Sequence, residues 1–222
     1  MIEFSLTNKR TLKVETDSEQ ESYYVKIGSF IGGKSYPKKA FQFEKVILGP
    51  KDNLFKAIVG KTSRHITGEE LDIMKVTTKG PTELNFSFEG QHVVLVNLAD
   101  GESIYVSSEH VLGFNDLCKY STDFIAQGVV STRGIFVSKI TGKCDGAQAA
   151  VLVNGDPITV SNHEDGAVLV SDPKTLVAWL GDKPGISFDF NWKDIIGQNS
   201  GERYMFSWEK PTTLIMQPKL ID

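Results

Sequence analysis

One stretch of this sequence recurs three times, and that recurrence limits the fold more than any other feature. In its middle form it reads Glu102-Ser103-Ile104-Tyr105-Val106, then, after a short polar break, Val111-Leu112-Gly113-Phe114. An earlier form, Glu21-Ser22-Tyr23-Tyr24-Val25 followed by Phe30-Ile31-Gly32-Gly33, aligns with it without a gap. A later form, Gly166-Ala167-Val168-Leu169-Val170 followed by Leu176-Val177-Ala178-Trp179, aligns from Gly101 onward, again without a gap. Repetition on this scale points to one supersecondary unit written several times. Each copy is an apolar, β-branched or aromatic run, a polar break, and a second apolar run, which is the pattern of two short strands joined by a turn. The breaks Ser107-Ser108-Glu109-His110 and Ser171-Asp172-Pro173-Lys174 argue against a continuous helix. Pro173 in particular lacks the amide hydrogen a helix would need there.

A second element recurs downstream. Gly68-Glu69-Glu70-Leu71-Asp72-Ile73-Met74 leads to Gly80-Pro81-Thr82-Glu83-Leu84, and Gly201-Glu202-Arg203-Tyr204-Met205-Phe206 leads to Pro211-Thr212-Thr213-Leu214. The middle copy is weaker, Arg133-Gly134-Ile135-Phe136-Val137 followed by the stretch from Gly142 to Leu152. Each unit therefore reads as a four-strand β module. The boundaries fall at 1–90, 91–155 and 156–222, with Asn154-Gly155-Asp156-Pro157 as the turn at the second. Glycines Gly101, Gly166, Gly68 and Gly201, with Glu69, Glu102 and Glu202 beside three of them, are read as structural turn residues. Glycine permits the positive φ of a tight corner, and a neighbouring carboxylate can accept from the turn amides.

The remaining segments fit the same picture. Residues 2–16 alternate apolar with polar and read as two strands joined at Thr7-Asn8-Lys9-Arg10. Residues 84–98 alternate again across Glu89-Gly90. Asn53 to Val59 reads as a two-turn helix stopped by Gly60, or alternatively as a strand. Asp116 through Ile125 reads as a less regular region holding one helical turn. Across 222 residues there is no low-complexity segment or apolar run long enough to cross a bilayer. Met1-Ile2-Glu3-Phe4 lacks a basic region leading into an apolar core, so no secretory signal is expected and the cytoplasm is the expected compartment. Cys118 and Cys144 have no CxxC spacing and read as reduced, mostly buried thiols.

The net charge of −4 is unevenly spread. Through residue 90 there are 14 Lys and Arg against 12 Asp and Glu, and beyond it 10 against 16. The nearest approach to a basic patch is Lys34, Lys38, Lys39, Lys45 and Lys51, interleaved with Tyr36, Phe41 and Phe43. Lysines alternating with aromatics can hold single-stranded nucleic acid, which makes Lys34, Lys38 and Lys39 the candidate RNA contacts. The competing reading is a solvated loop entering a strand whose aromatics turn to the core. That reading is preferred, because nucleic-acid-binding domains are clearly basic.

Catalytic signatures are weak. His65, His92, His110 and His163 lack the spacing that brings imidazoles to one metal, so no metal or other cofactor is expected. His163-Glu164-Asp165 resembles a ligand cluster but falls on a turn. There is no Gly-x-Ser-x-Gly elbow, and neither cysteine has a histidine beside it to lower its pKa. Gly32-Gly33-Lys34-Ser35 echoes the end of a phosphate-binding loop but lacks its earlier glycine, and reads as a turn.

The triplicated unit, the Gly101-Glu102 to Val106 and Val111-Leu112-Gly113-Phe114 pattern, and the openings Gly68-Glu69 and Gly201-Glu202 resemble the mitochondrial biogenesis family named for altered inheritance of mitochondria. The likeness spans essentially the whole chain. It departs at Gly134-Ile135, where no Glu follows the glycine, and at Gly68-Glu69-Glu70 and Gly201-Glu202-Arg203, where many relatives have Gly-Glu-Gly. The resemblance implies an all-β protein of three tandem β-sandwich or short double-stranded β-helix units with pseudo-threefold symmetry, each similar to the tryptophan RNA-binding attenuation protein. It implies no known catalytic residues. The expected function is therefore a non-catalytic cytoplasmic scaffold or binding protein, with a protein partner or a second copy of itself as the expected contact. RNA or small-ligand binding is the alternative, and a metal-dependent enzyme is the remotest.

Overall fold

In the computed structural model of the chain, the residues described are 2–17, 19–36, 38–48, 71–125, 136–164, 166–187 and 205–218. They form an all-β structure of several antiparallel sheets. After a leading strand β1 (Ile2–Asn8), the strands fall into three successive sets of six. The first set is β2 (Thr11–Thr16), β3 (Glu19–Lys26), β4 (Phe30–Ser35), β5 (Phe41–Leu48), β6 (Leu71–Lys79) and β7 (Thr82–Phe86). The second is β8 (His92–Leu98), β9 (Ser103–Val106), β10 (Val111–Asn115), β11 (Cys118–Phe124), β12 (Phe136–Gly142) and β13 (Ala147–Val153). The third is β14 (Ile158–Ser161), β15 (Leu169–Ser171), β16 (Leu176–Gly181), β17 (Gly185–Ser187), β18 (Met205–Trp208) and β19 (Thr212–Met216). Among the described residues each set thus holds six strands rather than four. The stretch Asp116–Ile125, expected to contain a helical turn, is instead the regular strand β11, paired along its whole length with β12. Alternating Tyr120, Thr122 and Phe124 suit a pleated, half-buried surface better than a helix.

The pairing pattern also recurs. Within every set the first strand pairs with the sixth and the sixth with the third, while the fourth pairs with the fifth and the fifth with the second. Two six-stranded sheets run β5-β6-β3-β10-β13-β8 and β11-β12-β9-β16-β19-β14, so each takes one half from one set and one half from the next. The halves meet at two seams, β3 with β10 and β9 with β16. The remaining halves stand apart as a four-stranded sheet β1-β2-β7-β4 and a three-stranded sheet β15-β18-β17.

Burial follows from this layering. β2 and β7 bury alternate residues, as strands covered on one face do. β10 and β13 are apolar without alternation, and β10 is buried throughout, because their sheet is covered on both faces. Phe4, Leu12, Val14 and Phe86 of the four-stranded sheet pack on Tyr23, Val25, Leu112 and Leu152. Ile73, Phe114 and Val151 pack on Ile104, Val106 and Ile140 of the next sheet. Tyr105, Trp179 and Leu214 pack in turn on Leu169, Phe206 and Trp208. β1 is tied across the first core, where the Phe4 amide donates to Gln148 Oε1 at 3.0 Å and Gln148 Nε2 donates to the Phe4 carbonyl at 3.3 Å.

The aligned position near the start of the second strand of each set has a positive φ, in the turn before the strand in the second and third sets and at a register shift inside β3 in the first. Gly101 and Gly166 have φ of 76° and 64°, and the aligned residue of the first set, Gln20, has φ of 68°. A Cβ on either glycine would meet nothing within 4 Å, so conformation and not space selects glycine there. Glu102 Oε2 accepts from the Ala99 amide at 2.9 Å. Gly68, Glu69, Gly201, Glu202, Lys51, His65, the Asn53–Val59 segment and Arg133-Gly134-Ile135 lie outside the described residues.

Candidate interaction surface

The lysine group that carries the nucleic-acid alternative sits beside the β4 edge of the four-stranded sheet. Lys34 lies on β4 directly opposite Glu83 of β7, with Nζ 3.4 Å from its carboxylate. Lys38 and Lys39 lie in the exposed turn between β4 and β5, and Lys39 has φ of 61°. The cleft beside Lys34 is lined by Glu3, Glu15, Asp17 and Glu83. Lys13, paired with Glu15 at 2.8 Å, also lies among these carboxylates, so Lys34 sits in a mixed, net acidic field and not in a basic patch. Lys45 is paired with Asp72 at 3.3 Å. The interleaved aromatics are engaged with each other: Phe30 lies 5.9 Å from Phe41, 5.1 Å from Phe43 and 5.8 Å from Phe86 between ring centroids. Only Tyr36 stands fully out in solvent.

The histidines and cysteines are scattered. His92 is buried with Nδ1 3.3 Å from an Asp156 oxygen. His110 is buried between β9 and β10, its Nδ1 2.9 Å from the Leu152 carbonyl oxygen. His163 is exposed, 3.2 Å from the Thr213 hydroxyl. Among the described residues no three His, Cys, Asp or Glu side chains converge as metal ligands. Burial pushes the Cys118 thiol up to about 11, which leaves it a poor nucleophile at neutral pH. Cys144, expected to be buried with it, is exposed on a turn.

Which strand edges stay open is not marked in the sequence, and it emerges from comparing the seams. At the first, Gly113 pairs with Val25, Phe114 with Tyr24 and Asn115 with Tyr23. At the second, Ala178 pairs with Val106, Trp179 with Tyr105 and Leu180 with Ile104. These are the same aligned positions, so the register itself is repeated. Both seams carry a stacked aromatic pair at the same place, Tyr24 on Phe114 and Tyr105 on Trp179. A β-bulge also recurs, between Val111 and Gly113, between Leu176 and Ala178, and between Phe30 and Gly32. The residue inside it is buried in two strands, Leu112 at 0% and Val177 at 1% exposed, but Ile31 on β4 is 60% exposed.

The reason is the missing neighbour. β10 and β16 are flanked on both sides, whereas β4 pairs only with β7, and β15 only with β18, among the described residues. Beside the β4 edge stand Phe30, Ile31 and Tyr36, and beside β15 stand Val168 and Val170, all exposed. A third free edge, β14, exposes all four of its residues, including Ile158 and Val160. A bare edge with apolar side chains is a template for another strand.

Recurring six-strand sets, sheets shared across register-matched seams, and edges left open define a class of tandem-repeat β protein. More particularly, the chain belongs to the family described as Mitochondrial biogenesis AIM24, which matches residues 4–219. Among solved structures it is similar to the crystal structure of protein SPYM3_0169 from Streptococcus pyogenes, with a TM-score of 0.65 and 15% identity. That likeness covers 99% of this chain and 93% of the other, and at this identity it speaks to fold. No curated protein matches the chain. No helix among the described residues is long and apolar enough to cross a membrane.

Proposed function

We propose that this protein is a non-catalytic scaffold of the cytoplasm, working through contacts between its sheet edges and other protein surfaces. On this reading the three segments 1–90, 91–155 and 156–222 are its structural units, and the edges left over where the units fail to meet are its contact surfaces. The observation that carries the proposal is the exposure of Ile31 on β4, at a position whose two counterparts, Leu112 and Val177, are buried by a neighbouring strand. Backbone donors and acceptors along such an edge supply affinity, and the alternate side chains supply selectivity.

A photo-crosslinking residue placed at Ile31 or at Ile158 in living cells tests it. One or a few discrete protein adducts are expected from these edges and none from Lys174, an exposed turn position. Absence of adducts from both edges would contradict the scaffold reading.

A further inference from the structure

We propose that β15 of one copy of this protein adds to the free edge of β4 of a second copy, forming between molecules the seam that each chain forms twice within itself. The inference rests on reading the edges as contact surfaces and names their occupant. Its first support is the order of the sheets. Placing β17-β18-β15 beside β4-β7-β2 reproduces the sequence of positions found in both six-stranded sheets, with β15 and β4 in the places of β3 and β10. The two small sheets are thus the two halves of a third sheet of the same kind.

Register is the second support. The alignment that equates Val25 with Val106 and Gly113 with Ala178 sets Gly32 opposite Ser171, Gly33 opposite Val170 and Lys34 opposite Leu169. One step further, Ser35 faces Val168. Pairing in this register would cover Ile31, Val168 and Val170, which are exposed in the single chain. The occupant is a second copy because, among the described residues, no strand pairing joins these halves within one chain. Among the described residues the apolar cores link consecutive sheets only, and none contains residues of both small sheets.

The chemistry of the joint also sets its strength. Where the internal seams stack two aromatics, this one offers Gly33 and Val170. It therefore lacks the stacked pair and forms reversibly. Each copy carries one β4 and one β15, so the contact is head-to-tail and yields closed rings or open chains of copies.

Disulfide capture and sedimentation test the proposal in the full chain. In a Cys144→Ser background, Ser35→Cys and Val168→Cys proteins are mixed under mild oxidation. A linked dimer of the two variants is expected, in greater yield than either gives alone, and the doubly substituted chain should link into multimers. Sedimentation mass should rise with concentration and return to that of a monomer in the Ile31→Asp, Val170→Asp protein. Both residues are exposed in the single chain, so its thermal unfolding should be unchanged. A doubly substituted chain that only closes on itself, or a strict monomer at the highest soluble concentration, would overturn the proposal. If the chain is monomeric yet Ile31 crosslinks to a different protein in cells, the self-contact falls and the scaffold reading stands.

Discussion

The Tyr105 ring stacks on Trp179 across the second seam, with centroids 5.0 Å apart and planes 6° from parallel. Tyr24 stacks on Phe114 at the aligned place in the first seam, at 5.1 Å and 26°. These pairs fasten separate repeats into shared sheets, so loss of one should be felt across two sets of strands. Trp179 is almost wholly buried, and Trp179→Ala should cost about 3–5 kcal/mol. Urea denaturation measures the loss. A cost below about 1 kcal/mol would be that of an ordinary surface change and would deny the seam its fastening role.

Gly113 lies where β10 is packed tightly against β3. A Cβ there would lie 2.4 Å from the Tyr24 carbonyl oxygen, a backbone atom that cannot move without breaking the seam. Gly113→Val should abolish cooperative folding or lower the midpoint sharply, as seen by circular dichroism on heating.

Gln20 holds a left-handed backbone that its counterparts Gly101 and Gly166 adopt freely. For a residue with a side chain that conformation costs roughly 1–2 kcal/mol. Gln20→Gly should therefore stabilise the protein, by less than this because glycine also loses more freedom on folding. Gly101→Ala should destabilise it. Opposite signs in the two denaturation curves are the expected outcome.

Burial pushes the His110 imidazole below its usual value of 6.5, against the pull of Glu109 and the Leu152 carbonyl and with a further push from Lys26. The folded protein thus holds this proton less tightly than the unfolded chain does. Its contribution to stability is full above pH 6.5 and falls as the pH drops through that value, levelling once the folded imidazole also protonates. His110→Asn, whose amide can still donate to Leu152, should flatten that part of the stability profile. An unaltered profile would show that His110 does not set it.

For the lysine group, binding of labelled single-stranded RNA is expected to be weak and indifferent to Lys34→Glu, Lys38→Glu and Lys39→Glu together. Fluorescence anisotropy at rising salt reads this directly. Tight binding with a steep salt dependence, lost in the triple variant, would favour the nucleic-acid alternative.

Sequence patterns exposed the strands and turns but not what joins them. The runs around Tyr24, Tyr105 and Trp179 were legible because aromatic and β-branched residues cluster between turn-formers, and Gly101 and Gly166 because glycine marks a positive φ. Gln20 carried no such mark, since its strain is visible only in the backbone. β11 is hard to read because polar Thr122 interrupts the apolar side made by Cys118, Tyr120 and Phe124, and most of the strand is only half-buried. The open edges were least legible of all. Ile31 looks as apolar as Leu112 and Val177, and only the presence or absence of a neighbouring strand separates them.

Residue-resolved amide hydrogen exchange in dilute solution tests the open edge most directly. Amides across both seams, in β3 with β10 and β9 with β16, should exchange slowly. Those of β4 and β15 that point away from β7 and β18 should exchange at rates near those of open chain. Equal protection at all three places, in a protein shown to be monomeric, would mean that β4 and β15 already meet within one molecule, and would contradict the account.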